Sequence, residues 1–353
     1  MGGGHEGRSP RRGTVKVNRS VRSKMTGTGM YVPERVVTNE DLAKLMDTTD
    51  EWIQQRTGIK ERRYITPGQT PVDLAGPAAE MALESAGLKA TDLDFILLAT
   101  LSPQHEFPGT SFFLHERLEA ETVPCIDLRA QCSGFLYALN FADGLIQAGK
   151  CKRVLVVGCE LHSTGLDITT RGRDVAVIFG DGAGAVVLEA NDDKDDPSGL
   201  LDIQLHAQGK HARRLWIEAP ASGHYPVRID HQMIDEGRHF PKMEGRYVFK
   251  NAVTRMPEVM LAALESASIK IDDVGLFLFH QANLRINEFV AQKMEIPEDR
   301  VLNNIQRYGN CSAASIPMLL AEAAQQGRLE PGQIVCMTAF GSGFTWGSAV
   351  LRC

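Results

Sequence analysis

"LESAGLKATDLDFILLAT", residues 83–100, returns nearly two hundred positions later as "LESASIKIDDVGLFLFH", residues 264–280. In both copies a segment with helical spacing of apolar residues runs through a polar turn into a short apolar stretch of strand length. Two further blocks repeat in the same order. "CSGFLYALNFADGLIQAGK" from Cys132 is echoed by "CSAASIPMLLAEAAQQGR" from Cys311, and "FGDGAGAVVL" at 179–188 by "FGSGFTWGSAVL" at 340–351. Three blocks in one order mark an internal duplication of an α/β unit. Each half carries an apolar sheet face that must be covered, so two sheets are expected to sandwich shared central helices. The halves divide at about residue 190, giving 20–190 and 191–353, where the acidic stretch "NDDKDDPSG" reads as a surface linker. The first half holds extra residues around "LHSTGLDITTRGRD". The second carries a stretch of weak periodicity, about 206–243, that reads as a long loop placed to cover a substrate entrance.

Composition bounds the partners. A chain of 353 residues with net charge −6 and 43% hydrophobic content can bury a large core and gives no reason to expect nucleic acid. No uninterrupted apolar run approaches about 18 residues, so no membrane span is expected, and the address expected by default is cytoplasmic. Residues 1–19 are basic and glycine-rich and read as a disordered tail. Seven cysteines, odd in number and without a C-x-x-C pair, suggest neither a disulfide framework nor a metal site.

Two of those cysteines sit where a helix begins. Cys132 follows "VPCIDLRAQ", and the helix dipole and free N–H groups there favour a thiolate and could hold an oxyanion. Cys311 occupies the matching place in the repeat, so position alone does not separate them. Their surroundings do. His280 ends a strand in "FHQANLRI" and Asn310 precedes the second helix in "RYGNCSAAS", so a thiol from the first half would face a histidine and an asparagine from the second.

In "GTGMYVPERVVTN", "DTTDEWIQQRTGIKER", "QCSGF", "HQANLRI", "YGNCSAAS" and "FGSGFTWGSA" the chain resembles the 3-oxoacyl-(acyl-carrier-protein) synthase III family of the thiolase superfamily. That resemblance implies a five-layer αβαβα sandwich of two duplicated halves and a condensing enzyme that initiates type II fatty acid synthesis. Cys132, His280 and Asn310 would form the catalytic set, with the backbone N–H groups of Cys132 and Gly343 as oxyanion hole. An acyl-CoA would acylate Cys132, and malonyl-acyl-carrier protein would then supply the attacking enolate, with His280 and Asn310 as hydrogen-bond donors to its oxygen. No resident cofactor or metal is implied, since the CoA thioester and the carrier's phosphopantetheine are substrates. Trp52 would stack on the adenine of CoA near Arg56, with Arg173 on the other side of that ring and Asn283 along the pantetheine channel. Lys250, Arg285 and Lys293 would receive the acidic carrier protein, and Phe107 would reach the acyl pocket of a partner subunit in a homodimer. The serine at 342, inside a glycine triplet, and the length of the 206–243 stretch depart from the family pattern. The alternative on the same fold is a secondary-metabolism ketosynthase or acyltransferase with another acceptor.

Overall fold

The computed structural model describes residues 21–353; the expected basic tail lies outside the described residues. In chain order the elements that frame the site are β1 (Arg22–Tyr31), α1 (Asp50–Thr57), α2 (Pro71–Ala86), β2 (Phe95–Ala99), α3 (Thr110–Arg117), β3 (Cys125–Leu128), α4 (Gly134–Gln147), β4 (Arg153–Glu160) and β5 (Gly182–Asn191). The second half continues with β6 (Gly199–Ala207), α5 (Gly245–Ala267), β7 (Val274–Phe279), α6 (Leu284–Lys293), α7 (Ser315–Gln325), β8 (Ile334–Gly341) and β9 (Thr345–Arg352).

The first sheet has the order β1-β5-β4-β2-β3 and the second the order β7-β8-β9-β6. The two share one arrangement: a parallel pair (β2 with β4, β7 with β8) is followed on one side by two antiparallel strands contributed by the ends of that half (β5 and β1, β9 and β6). The first sheet adds β3, parallel to β2, on the other side. Val301 bridges to Phe277 where the second sheet's fifth strand would run. Outer helices α2 and α3 cover one sheet and α5 the other, with α6 packed on α5 and sharing its apolar cluster, while α4 and α7 lie between the sheets. This is the five-layer arrangement expected from the duplication.

The layering follows from apolar patterning. β4, "RVLVVGCE", is buried at every position after Arg153, as a strand covered on both faces must be. In α7 every residue from Ser315 to Ala323 is buried, which only a helix enclosed on all sides can accept. One core cluster joins Phe135 and Leu139 of α4, Ile316 and Leu319 of α7, Val186 of the first sheet and Met337 of the second. The linker between the halves, residues 192–198, runs over the surface and is anchored by the Lys24–Asp196 ion pair at 2.8 Å.

The duplication is offset by two residues from the matching of the two cysteines. The turn before each central helix begins with a residue in the left-handed region, Gln131 at φ 47° and Ser312 at φ 46°. Each then forms a single 3-10 turn, Gln131–Ser133 and Ser312–Ala314, before α4 starts at Gly134 and α7 at Ser315. The structural counterpart of Cys132 is therefore Ala313, and that of Cys311 is Ala130. The expected long loop is also more ordered than its sequence suggested. It contains a helical turn at His231–Asp235 and a small ribbon pairing Leu215–Trp216 with Lys242–Met243.

Candidate active site

A cavity of ≈ 660 Å³ runs inward from exposed Arg56 and Arg246 to buried Cys132, His280 and Asn310. Cys132 comes from the turn between β3 and α4, His280 from the end of β7, and Asn310 from the loop before α7. The split site read from the sequence is thus assembled at the place where the two halves meet. Leu215 and Met243, the ends of the ribbon in the 206–243 stretch, form part of the cavity wall.

Ser312 connects the three polar groups. Its hydroxyl donates to Cys132 Sγ at 3.4 Å and its N–H to Asn310 Oδ1 at 2.7 Å. Its carbonyl accepts the Ser315 hydroxyl at 3.0 Å, and Ser315 Oγ lies 2.7 Å from His280 Nδ1. Because Oδ1 of Asn310 is occupied by an N–H, its Nδ2 is the end left to donate into the cavity. His280 Nε2 is buried without a partner. The backbone N–H groups that face Cys132 Sγ are its own and that of Ser342. The second amide comes one residue before Gly343, which lies instead near Gln131 at the edge of the turn. The Ser342 hydroxyl bonds the Leu215 carbonyl, which fastens the glycine-rich turn to the ribbon.

The electrostatics reverse one expectation. Burial pushes the Cys132 thiol up to about 11, outweighing the Ser312 hydroxyl and the two amides, and nearby Glu160 adds to the rise. Desolvation exceeds the helix-end effect because the turn is enclosed on every side. Burial carries His280 down to about 3, and the adjacent His162 pushes the same way. The resting pair is therefore a neutral thiol and a neutral imidazole. Cys311 is also pushed well up by burial, but it faces Tyr308 and Met318, away from the cavity.

Sequence reading missed three buried groups here. Glu160, pushed up to about 7 by burial, receives hydrogen bonds from Ser102 Oγ at 2.5 Å and the Leu101 N–H at 3.1 Å. His162 packs on Phe179 with ring centroids 4.6 Å apart. Ser315 carries His280. No motif marks the first two; the third stood in "NCSAAS", where its spacing from Asn310 was the available signal.

At the outer end, Arg56 and Arg173 both lie over the Trp52 ring, 4.2 and 4.8 Å from its centroid. Arg173 thus rests on the indole directly, and its Nη1 donates to the Asp47 carbonyl at 2.7 Å. Asn283 borders the cavity but caps α6, accepting from the Arg285 N–H at 2.9 Å and donating to the Arg56 carbonyl at 3.0 Å. Arg285 is committed to the carbonyls of Gln54 and Gln55 and to Glu288, so it ties α6 to α1. Lys250 and Lys293 are exposed, and Phe107 is 84% exposed.

A thiol, an imidazole and a carboxamide at the buried end of a channel in a duplicated αβαβα fold define a thiolase-type, acyl-transferring condensing enzyme. Models of the 3-oxoacyl-[acyl-carrier-protein (ACP)] synthase III family match residues 126–209 and, for its C-terminal part, residues 264–353. The chain is 44% identical over 328 residues to beta-ketoacyl-[acyl-carrier-protein] synthase III of Roseiflexus sp. (strain RS-1), covering 93% of this chain and 97% of the relative. The crystal structure of 3-oxoacyl-[acyl-carrier-protein] synthase III from Aquifex aeolicus VF5 superposes with a TM-score of 0.85 at 44% identity, covering 94% of this chain and 100% of that one. That from Thermus thermophilus gives 0.86 at 38% identity over 94% and 99%. The chain belongs to the beta-ketoacyl-[acyl-carrier-protein] synthase III family, the initiating condensing enzymes of fatty acid synthesis. Among the described residues no helix is long and apolar enough to cross a membrane.

Proposed function

We propose that Cys132 takes an acyl group from an acyl-CoA and that the acyl-enzyme condenses with malonyl-acyl-carrier protein. The products are 3-oxoacyl-acyl-carrier protein, CoA and carbon dioxide. The observation that carries this reading is the convergence on one buried channel end of the Cys132 thiol, the unpartnered His280 Nε2, the donor end of Asn310 and two free amides.

In the first half-reaction Sγ attacks the thioester carbonyl while its proton passes to His280. The tetrahedral oxyanion is held by the N–H groups of Cys132 and Ser342, which takes the place first given to Gly343. The CoA sulfur leaves with the proton. In the second, loss of carbon dioxide from the malonyl thioester produces an enolate whose oxygen accepts from Asn310 Nδ2 and from His280 in its Nε2–H form. The enolate carbon attacks the acyl carbonyl, Cys132 leaves as thiolate, and water restores its proton. The thioesters are substrates and the reaction draws on no resident cofactor.

Along the channel, Trp52 with Arg56 and Arg173 receives the adenine and phosphates of CoA; Arg173 must swing off the indole to let a base stack there. Asn283 borders the pantetheine arm. Lys250 and Lys293 offer free cationic sites to the carrier protein, whereas Arg285 contributes by holding α6 in place. Exposed Phe107 is assigned to a homodimer contact that reaches the neighbouring acyl pocket, and the enzyme to the cytoplasm.

Intact-mass measurement after incubation with acetyl-CoA tests the first step, and carbon dioxide release on adding malonyl-acyl-carrier protein tests the second. The expected result is one acyl adduct, lost in Cys132→Ala and kept in Cys311→Ala. An adduct that maps to Cys311, or acylation without later carbon dioxide release, would reject the assignment.

A further inference from the structure

Ser312 is a non-glycine residue in the left-handed region, φ 46°, with no exposed surface. That conformation aims its hydroxyl at the thiol, its N–H at Asn310 and its carbonyl toward Ser315. An amide can only donate and a carbonyl can only accept, so the directions of the bonds to Asn310 and from Ser315 are fixed. Ser315 has one proton. With that proton on the Ser312 carbonyl, its oxygen can meet His280 Nδ1 only as an acceptor.

We propose that Ser315 is a positioning residue that sets the tautomer of His280, an inference that rests on the function proposed above. In the free enzyme His280 carries its proton on Nδ1, 2.7 Å from Ser315 Oγ. Nε2, buried and unpartnered, then presents a lone pair to the cavity. It is in the form needed to take the Cys132 proton as the sulfur–carbonyl bond forms, and to return it to the CoA sulfur as that bond breaks. Condensation needs the opposite form. Between half-reactions the ring loses its Nδ1 proton to water and gains one at Nε2, and the Ser315 hydroxyl turns to donate to Nδ1. A hydroxyl is the one member of this chain of bonds that can serve both forms.

Ser315→Ala separates the steps. Without an acceptor an Nδ1–H would be an unsatisfied donor closed in by protein, whereas an Nε2–H faces the cavity, where water can accept it, so the ring shifts to the Nε2–H form already suited to condensation. Acylation of Cys132 by acetyl-CoA should fall by about 100-fold or more, as expected when a general base is held in the wrong form, with malonyl-thioester decarboxylation kept within about threefold. A purely structural role would slow both alike. Nitrogen NMR of the full chain carrying 15N-imidazole histidine reads the tautomer directly, with the His280 signals assigned by their loss in His280→Ala. Wild type should show Nδ1 protonated and Ser315→Ala should show Nε2 protonated. Should the alanine variant fail to fold, Ser315→Cys carries the same test, since a thiol is the weaker acceptor. An Nε2–H form in the wild type, an unchanged tautomer in the variant, or equal loss of both partial reactions would overturn the inference alone. Failure of wild-type Cys132 to acylate would overturn the proposed function instead.

Discussion

His162→Leu should make the protein markedly less sensitive to acid. The imidazole is packed on Phe179, its Nε2 is enclosed without a partner, and burial carries it down to about 3. It therefore stays neutral in the fold, whereas in the unfolded chain it titrates near about 6.5. Below that value the unfolded state binds the extra proton, so stability present above pH 6.5 is lost as pH falls toward 3. Between pH 7 and pH 5 this loss amounts to about 2 kcal/mol. His280, shifted by the same cause to about 3, loses a similar amount over the same interval. Glu160 works in the opposite sense. Pushed up to about 7, it holds a proton in the fold that the unfolded carboxyl has released, so acidification over this range returns about 2 kcal/mol. These three groups leave the wild type about 2 kcal/mol less stable at pH 5 than at pH 7, and the leucine variant nearly unchanged. Urea denaturation of both proteins at the two pH values, at one protein concentration, measures the double difference, in which the surface carboxylates common to both cancel. A variant that keeps the full wild-type loss between pH 7 and pH 5 would refute the reasoning.

Two further outcomes follow from the geometry around Cys132. Gly341→Ala would place a methyl carbon 2.7 Å from Cys132 Cβ and 3.0 Å from its backbone N, so the nucleophile must shift. Acylation should fall by about 100-fold, the scale of a misplacement near 1 Å, and single-turnover acylation with acetyl-CoA well below the melting temperature reads it. Alkylation of Cys132 by iodoacetamide should rise about tenfold per pH unit from pH 6 to 9.5, because a thiol pushed up to about 11 supplies thiolate in that proportion. A plateau below pH 8, followed by peptide mass mapping, would show a stabilised thiolate and contradict the buried neutral pair.

The duplicated architecture was legible because burial on two faces leaves a coarse mark: long apolar runs in β4 and β8 and an α7 with no polar face. The pairing of Cys132 with His280 and Asn310 was legible for a similar reason, since strand ends and helix starts are where chains place polar groups in a crevice. What misled was the letter match between "QCS" and "NCS". The register of each turn is set by the left-handed residue, and here that residue is Gln131 in one half and Ser312 in the other, neither of which announces positive φ as glycine does. The resemblance gave the second oxyanion amide to Gly343, whereas the amide that faces the resting thiol is that of Ser342, one residue earlier. Arg285 looked free for a partner because the carbonyls of Gln54 and Gln55 that hold it lie 230 residues away along the chain. The direction of the thiol's shift could not be read either, because desolvation comes from both halves while the helix start that favours the thiolate is local.

A neutral thiol at rest changes what the helix start and the two amides are for. Had they stabilised a standing thiolate, Cys132 would be open to oxidation and to any electrophile entering the channel, since both follow thiolate character. On the mechanism proposed above, the enclosed sulfur becomes nucleophilic only when a thioester carbonyl arrives to share the developing charge with the N–H groups of Cys132 and Ser342. Those donors then act where charge appears in the transition state and not on the ground state, which is the condition for lowering the barrier. The Ser342 hydroxyl, bound to Leu215, ties that amide to the ribbon on the cavity wall. On that mechanism an acyl donor entering past Leu215 and Met243 would meet an oxyanion site already fixed by the cavity wall.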